Sequence, residues 1–214
     1  SDEMLRTCGL DDAQVLRGLR YFDALRTEVV AGQYLDLVAQ SSGQTSVPQA
    51  MRVVRYKAAK YTVERPLHLG AALAGGDDAL LAALTSYGLP LGEAFQLRDD
   101  VLGVFGDPEV TGKPAGDDLR EGKRTVLMAL ARERADAEGQ AGLDRLFGHH
   151  RLDDHGVQQL RDIIKASGAL ASVEELINEL TSAAVTSVEH LPVADAEVRS
   201  ALRELAEVAT HRTW

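Results

Sequence analysis

Gln96, Asp99, Asp100 and position 103 recur at helical spacing within Phe95-Gln96-Leu97-Arg98-Asp99-Asp100-Val101-Leu102-Gly103, so an amide and two carboxylates share one helix face. Two adjacent carboxylates repel unless a cation sits between them and the next negative group. The usual arrangement is Mg²⁺ held by one or two carboxylates together with phosphate oxygens of a substrate. A basic, glycine-rich stretch follows at once, from Thr111-Gly112-Lys113-Pro114-Ala115-Gly116 through Asp117-Asp118-Leu119-Arg120 to Glu121-Gly122-Lys123-Arg124-Thr125. Carboxylates suited to a metal, next to lysines suited to phosphate, point to diphosphate chemistry. A lone Asp-Asp pair is most often a solvated turn. Here Phe95, Leu97, Val101 and Leu102 flank the pair with apolar residues, which places the helix inside a bundle. An unpaired charge is costly there, so a compensating cation is required.

The elements that must hold these groups read as helices nearly throughout. Leu16, Leu19, Phe22 and Val29 recur at threes and fours after Asp11-Asp12. Residues 41–45 form a loop, and Ser46, Pro48 and Gln49 then open a second helix with a cap, a first-turn proline and a capping-box glutamine. That helix is expected to run to Ala74, kinked at Pro66, and to end at Gly75-Gly76. Asp77 caps a third helix carrying Phe95 to Leu102, and residues 106–122 read as a long ordered loop, of a length that in compact domains is usually functional or disordered. A fourth helix starts near Thr125. Another begins at Asp153-Asp154, with Val157, Leu160 and Ile163-Ile164 as its buried stripe, and Val173, Leu176, Ile177, Leu180 and Ala184 continue the helical spacing. The last helix follows Pro192 and carries Val198, Leu202, Leu205 and Val208. The expectation is a single all-α domain over residues 1–214, a bundle of long helices around a central cleft.

Composition narrows the function. The 23 basic against 33 acidic residues give a net charge of −10, which argues against nucleic acid, whose footprint is a basic patch or stripe. The charge is no bar to a phosphorylated substrate, because a bound Mg²⁺ inverts the local sign. Aromatics are only 5% of a chain that is 45% hydrophobic, which suits packed helices. With Cys8 the lone cysteine, no intrachain disulfide framework exists and a reducing compartment is the simplest context. No apolar run approaches the ~18 residues of a membrane span, and the start lacks a signal-peptide pattern. The expected location is cytoplasmic.

Taken together, these residues resemble the second aspartate-rich region of the trans-isoprenyl diphosphate synthases, the polyprenyl synthetase family, in its bacterial geranylgeranyl or farnesyl type. The matching elements are Phe95-Gln96, Asp99-Asp100, Gly112-Lys113, Gly116-Asp117-Asp118-Leu119 and Gly122-Lys123-Arg124-Thr125. Upstream, Gly32-Gln33-Tyr34-Leu35-Asp36-Leu37 is similar to the family's Gly-Gln-x-Leu-Asp helix, and Tyr56-Lys57 opens a segment similar to its Lys-Thr helix. The resemblance implies Mg²⁺ bound at Asp99 and Asp100, with Asp118 in the outer shell. It implies Lys57, Lys113 and Lys123 on the diphosphate, and Gln96, Gln33 and Asp36 lining the cleft. The implied reaction is ionisation of an allylic diphosphate to a carbocation, attack by the double bond of isopentenyl diphosphate and loss of a proton, in a homodimer.

Three departures from the family pattern stand out. Gly103 replaces a third aspartate, Ala58 replaces a threonine, and the first aspartate-rich motif with its paired arginines is absent from the chain. The chain therefore resembles the C-terminal portion of such an enzyme, and the fragment is expected to be inactive alone. The alternative reading is a non-catalytic partner subunit of a heteromeric synthase; the intact lysines and aspartates count against it. A resemblance to the terpene cyclases fits less well, since those enzymes usually carry an Asn/Asp-Ser/Thr-Glu metal motif late in the chain and Asn178-Glu179 lacks its spacing. Elsewhere, His149, His150 and His155 cluster at a helix start where Asp154 is a natural cap, His68 reads as a hydrogen-bonded core residue, and Cys8 has no base beside it.

Overall fold

The computed structural model describes residues 2–43, 45–111 and 116–211, and all regular structure among them is helical. The order is α1 (Asp2–Arg6), α2 (Asp12–Ser41), α3 (Val47–Val53), a π-helical segment (Val54–Glu64), α4 (Arg65–Leu73), α5 (Asp78–Phe105), α6 (Pro108–Thr111), α7 (Asp117–Glu121), α8 (Val126–Arg134), α9 (Ala137–Leu146), α10 (Asp154–Ala166), α11 (Ala169–Ser187) and α12 (Ala196–Thr210), with a 3-10 turn at Val188–His190 before the last. No described helix is long and apolar enough to cross a membrane.

Short polar side chains set the helix starts by taking up N–H groups that have no partner within the helix. Asp11 and Ser46 each form a capping box, with Gln14 and Gln49 respectively. Asp77 accepts from Leu80 N at 2.9 Å and Asp153 from Gly156 N at 2.8 Å. The cap of α10 is thus Asp153 rather than Asp154, whose carboxylate instead accepts from Arg120 Nη2 at 2.9 Å.

Val47 to Leu73 is one continuous helical run whose middle, Val54–Glu64, is π-helical, and Pro66 comes directly after that wider segment, where the hydrogen-bond register has already shifted. Both long helices press on that segment through glycine. A Cβ on Gly32 of α2 would lie 2.4 Å from the backbone nitrogen of Lys57, and one on Gly92 of α5 would lie 2.6 Å from Cα of Ala59. Such approaches are closed to any other residue, so the π segment is held between α2 and α5 backbone against backbone.

α5 is the axis of the molecule. Its C-terminal half sends Ala94, Leu97, Val101 and Val104 into one core with Ala50 and Val54, Val126 and Leu127 of α8, Leu143, Leu160, Ile164, Val173 and Ile177. Its N-terminal half packs Leu84, Tyr87 and Leu91 against Ala184, Val188, Leu191 and Ala206. Each fully buried leucine or isoleucine contributes about 1.5–3 kcal/mol, so α5 is rigid at the point where it carries the aspartates. The expected long loop over 106–122 is only partly irregular, since α6 and α7 are short helices within it. On α12 the buried residues are Ala206 and Thr210, while Val198, Leu205 and Val208 are exposed.

Candidate active site

Asp100 lies on the buried side of α5, only 3% exposed. Gln96, one turn earlier, donates from Nε2 to Asp100 Oδ1 at 2.9 Å. Lys123 enters from the turn after α7, which Gly122 ends in a left-handed conformation at φ 72°, open to glycine without strain. The Lys123 ammonium donates to Asp100 Oδ1 at 2.9 Å and to Asp118 Oδ2 at 3.2 Å. One cation thus bridges a carboxylate of α5 and a carboxylate of α7. Thr125 then caps α8, accepting from Met128 N at 3.3 Å, and so anchors the far end of the lysine turn.

The electrostatics follow from burial. Desolvation pushes the Asp100 carboxyl above the ordinary aspartate range, offset only in part by the Lys123 ammonium and the Gln96 amide. Desolvation works against the Lys123 charge too, but the Asp100 and Asp118 carboxylates outweigh it and raise its pKa. The ammonium therefore stays charged at neutral pH, and Asp100 depends on it.

Asp99 is partly buried. The position just before the two aspartates is Arg98, 7% exposed. Its guanidinium makes a two-pronged contact with Glu174 of α11, Nη1 to Oε1 and Nη2 to Oε2, both 2.7 Å. Its Nε donates to the carbonyl of Thr210 in α12 at 2.8 Å. Sequence reasoning passed over Arg98, although an arginine inside an apolar helix already implies a partner.

A second polar pair lies where α2 meets the π segment. Lys57 Nζ donates to Asp36 Oδ2 at 2.5 Å, and Asp36 is 6% exposed. Gly32, one turn before Asp36, lets the two elements close on each other. Gln33 is exposed beside it and Ala58 is buried. Farther along the same seam, Glu28 accepts from Arg65 Nε and Nη2 at 2.6 and 2.7 Å and from Lys60 Nζ at 2.9 Å. His68 is buried and fully engaged, as expected of a core histidine. Its Nδ1 faces Arg65 Nη1 at 3.0 Å and its Nε2 faces the Leu81 carbonyl at 3.0 Å. Since a guanidinium only donates, Nδ1 accepts and the ring is neutral with its proton on Nε2.

Of the residues expected at the site, the structure thus joins Gln96, Asp100, Asp118 and Lys123 in one cluster and Asp36 with Lys57 in another. Lys113 lies outside the described residues. Among the described residues, no three His, Cys, Asp or Glu side chains are gathered into a ready-made metal cage. The donor set fits the other known arrangement, a hard cation shared between one or two carboxylates and a phosphorylated ligand.

Residues 3–164 match the family model described as Polyprenyl synthetase. The chain is 30% identical over 207 residues to a geranylfarnesyl diphosphate synthase of Aeropyrum pernix, covering 97% of this chain and 64% of that protein. It is 31% identical over 180 residues to a geranylgeranyl diphosphate synthase of Mycobacterium tuberculosis, covering 83% and 51%. A solved geranylgeranyl pyrophosphate synthase from Corynebacterium glutamicum, complexed with isoprenyl diphosphate and magnesium, superposes with a TM-score of 0.95 at 44% identity, covering 99% of this chain and 60% of that one. This chain thus spans about three-fifths of that structure's length. With the family model matched over most of its residues and the fold shared, the chain belongs to the polyprenyl synthetase family.

Proposed function

We propose that this chain, a single all-α domain, carries one side of the metal–diphosphate site of a prenyltransferase that joins an allylic diphosphate to isopentenyl diphosphate. The observation that carries the reading is the ammonium of Lys123 set between the buried Asp100 and the partly buried Asp118.

Asp99 and Asp100, with Asp118 beside them, would hold Mg²⁺. Bound there, Mg²⁺ would supply charge stabilisation at the oxygens of a departing diphosphate. The protein's own part is to place positive charge where negative charge develops, without cost in rearrangement at the moment of reaction. Lys123 does so from a fixed turn, and Lys57, with its side chain 36% exposed, from the facing π segment. Lys113 lies in the intervening basic stretch and is assigned the same task. Gln96 orients the Asp100 carboxylate, and Gln33 and Asp36 stand on the α2 side of the cleft. Magnesium in the complex of the Corynebacterium relative supports the choice of metal.

The first aspartate-rich motif and its arginine pair, which the resemblance places on the opposite side, are not in these 214 residues. The chain by itself is therefore assigned metal–diphosphate binding without efficient turnover. A homodimer is supported by α2, on which Val30, Tyr34, Leu37 and Val38 are exposed at the spacing of one helix face; a second copy would cover it. The test of function is incorporation of labelled isopentenyl diphosphate into geranyl or farnesyl diphosphate with Mg²⁺, by the chain alone and with a full-length relative. Turnover at ordinary rates by the chain alone would show that the missing motif is dispensable and overturn the one-sided site.

A further inference from the structure

Where the lysine turn meets the end of α9, two arginines lean on one aromatic ring. The guanidinium carbons of Arg124 and Arg132 lie 5.1 and 5.9 Å from the centroid of the Phe147 ring, and the Nε atoms of both are buried without a hydrogen-bond partner. Arg132 reaches one acid, donating from Nη1 to Asp144 Oδ1 at 2.8 Å, and Asp144 is itself well exposed. Arg124 reaches none: among the described residues it forms no hydrogen bond and no ion pair. Burial first, and then the charge of Arg132, push the Arg124 pKa down, with no acidic side chain opposing them. Stacking on an aromatic face returns part of that cost, but two like charges drawn partly out of water still lack a counter-charge.

The open donors say what would supply it. Both terminal nitrogens of Arg124 and Nη2 of Arg132 are neither hydrogen-bonded nor buried. A guanidinium edge matches the oxygens of a phosphate in geometry and charge, and a tetrahedral ion has oxygens enough for two such edges. We propose that Arg124 and Arg132 form an anion site that takes a free phosphate ion, on the other side of the lysine turn from Asp100 and Asp118. Arg124 directly follows Lys123 in the chain; Lys123 turns to the two aspartates and Arg124 turns to Phe147. A phosphate held at Arg124 therefore braces from the α9 side the turn that presents Lys123.

Thermal unfolding in about 20 mM phosphate, against chloride at equal ionic strength and pH, tests the proposal. A dissociation constant on the order of 1 mM, the scale for partly solvated guanidiniums, raises Tm by roughly 4 °C. An affinity of that order leaves the site nearly empty in a micromolar titration of diphosphate. The rise should disappear in Arg124→Gln, shrink in Arg132→Gln and persist in Lys123→Met. A rise that survives unchanged in Arg124→Gln is a general salt effect and overturns the proposal, as does no rise in the unmodified chain. A rise lost in Lys123→Met but kept in Arg124→Gln puts the ion beside the aspartates instead, and overturns it too. Should Arg124→Gln fail to fold, hydrogen exchange of the unmodified chain decides. The amides of residues 122–126 should exchange more slowly in phosphate than in chloride, and equal rates there overturn the site.

Discussion

The Lys123 ammonium lies 2.9 Å from Asp100 Oδ1 and 3.2 Å from Asp118 Oδ2, so one cation of the chain holds together a carboxylate of α5 and a carboxylate of α7. Asp100 is buried, with its side chain 4% exposed, and removing its partner leaves a charge without compensation. Lys123→Met is expected to cost about 2 kcal/mol in urea unfolding, below the range for a fully buried pair because Lys123 is one-third exposed. Adding Asp100→Asn to it should restore much of the loss, since the unpaired charge is then gone. In the same variant, Mn²⁺ without diphosphate should bind more tightly than in the unmodified chain, because the competing ammonium is absent, and inorganic diphosphate should bind more weakly.

Arg98 ties three helices together immediately before the aspartates, through Glu174 and the Thr210 carbonyl. Glu174→Ala removes the two-pronged carboxylate contact and keeps the bond from Nε to the Thr210 carbonyl. We expect about 2 kcal/mol of destabilisation, below the full cost for a buried pair because Glu174 is 28% exposed. Hydrogen exchange should accelerate first in α12, which the strut holds down.

Gly32 meets backbone rather than a flexible side chain, with the Lys57 nitrogen 2.4 Å from where a Cβ would stand. Gly32→Ala should therefore cost at least about 2 kcal/mol, since overpacking is relieved only by moving a helix. The Asp36–Lys57 pair would be displaced with it. Denaturant unfolding measures the cost. A change within about 0.5 kcal/mol, the range of a neutral surface substitution, would show that α2 and the π segment are less tightly fixed than described.

His68 sets an acid limit. Burial holds its pKa below the ordinary 6.5, the Arg65 guanidinium acting the same way and Glu64 opposing. The folded protein thus refuses a proton that the unfolded chain accepts. The stability from the neutral ring is present above about pH 6.5 and is lost as pH falls from there through the folded pKa. Melting temperatures between pH 7.5 and pH 5 should decline, and the decline should flatten in His68→Gln.

Much of the architecture was legible because caps and periodicity are local. Asp11, Ser46, Asp77 and Thr125 each cap the helix they open. The face bearing Gln96, Asp99 and Asp100 follows from spacing alone. What escaped depends on neighbours. The π segment is set by two glycines distant in sequence, Gly32 and Gly92, that close on it from either side. Periodicity finds apolar faces without saying which face is covered, so α12 buries Ala206 and Thr210 while Leu205 and Val208 stay exposed. Helix α9 carries its buried face on Gly139, Gly142 and Leu143, and two glycines give no hydrophobic signal. Gly103 was legible as a missing carboxylate, but the Asp118 side chain that lies over it is seen only in three dimensions.

The central claim is that Asp99, Asp100, Asp118 and Lys123 form a site for a metal-bound diphosphate. Isothermal titration of inorganic diphosphate into the chain, with Mg²⁺ and then with a chelator, tests it most directly. The account predicts binding that requires Mg²⁺ and is abolished in Asp99→Asn. Binding of equal strength with and without Mg²⁺, unchanged in Asp99→Asn, would contradict it.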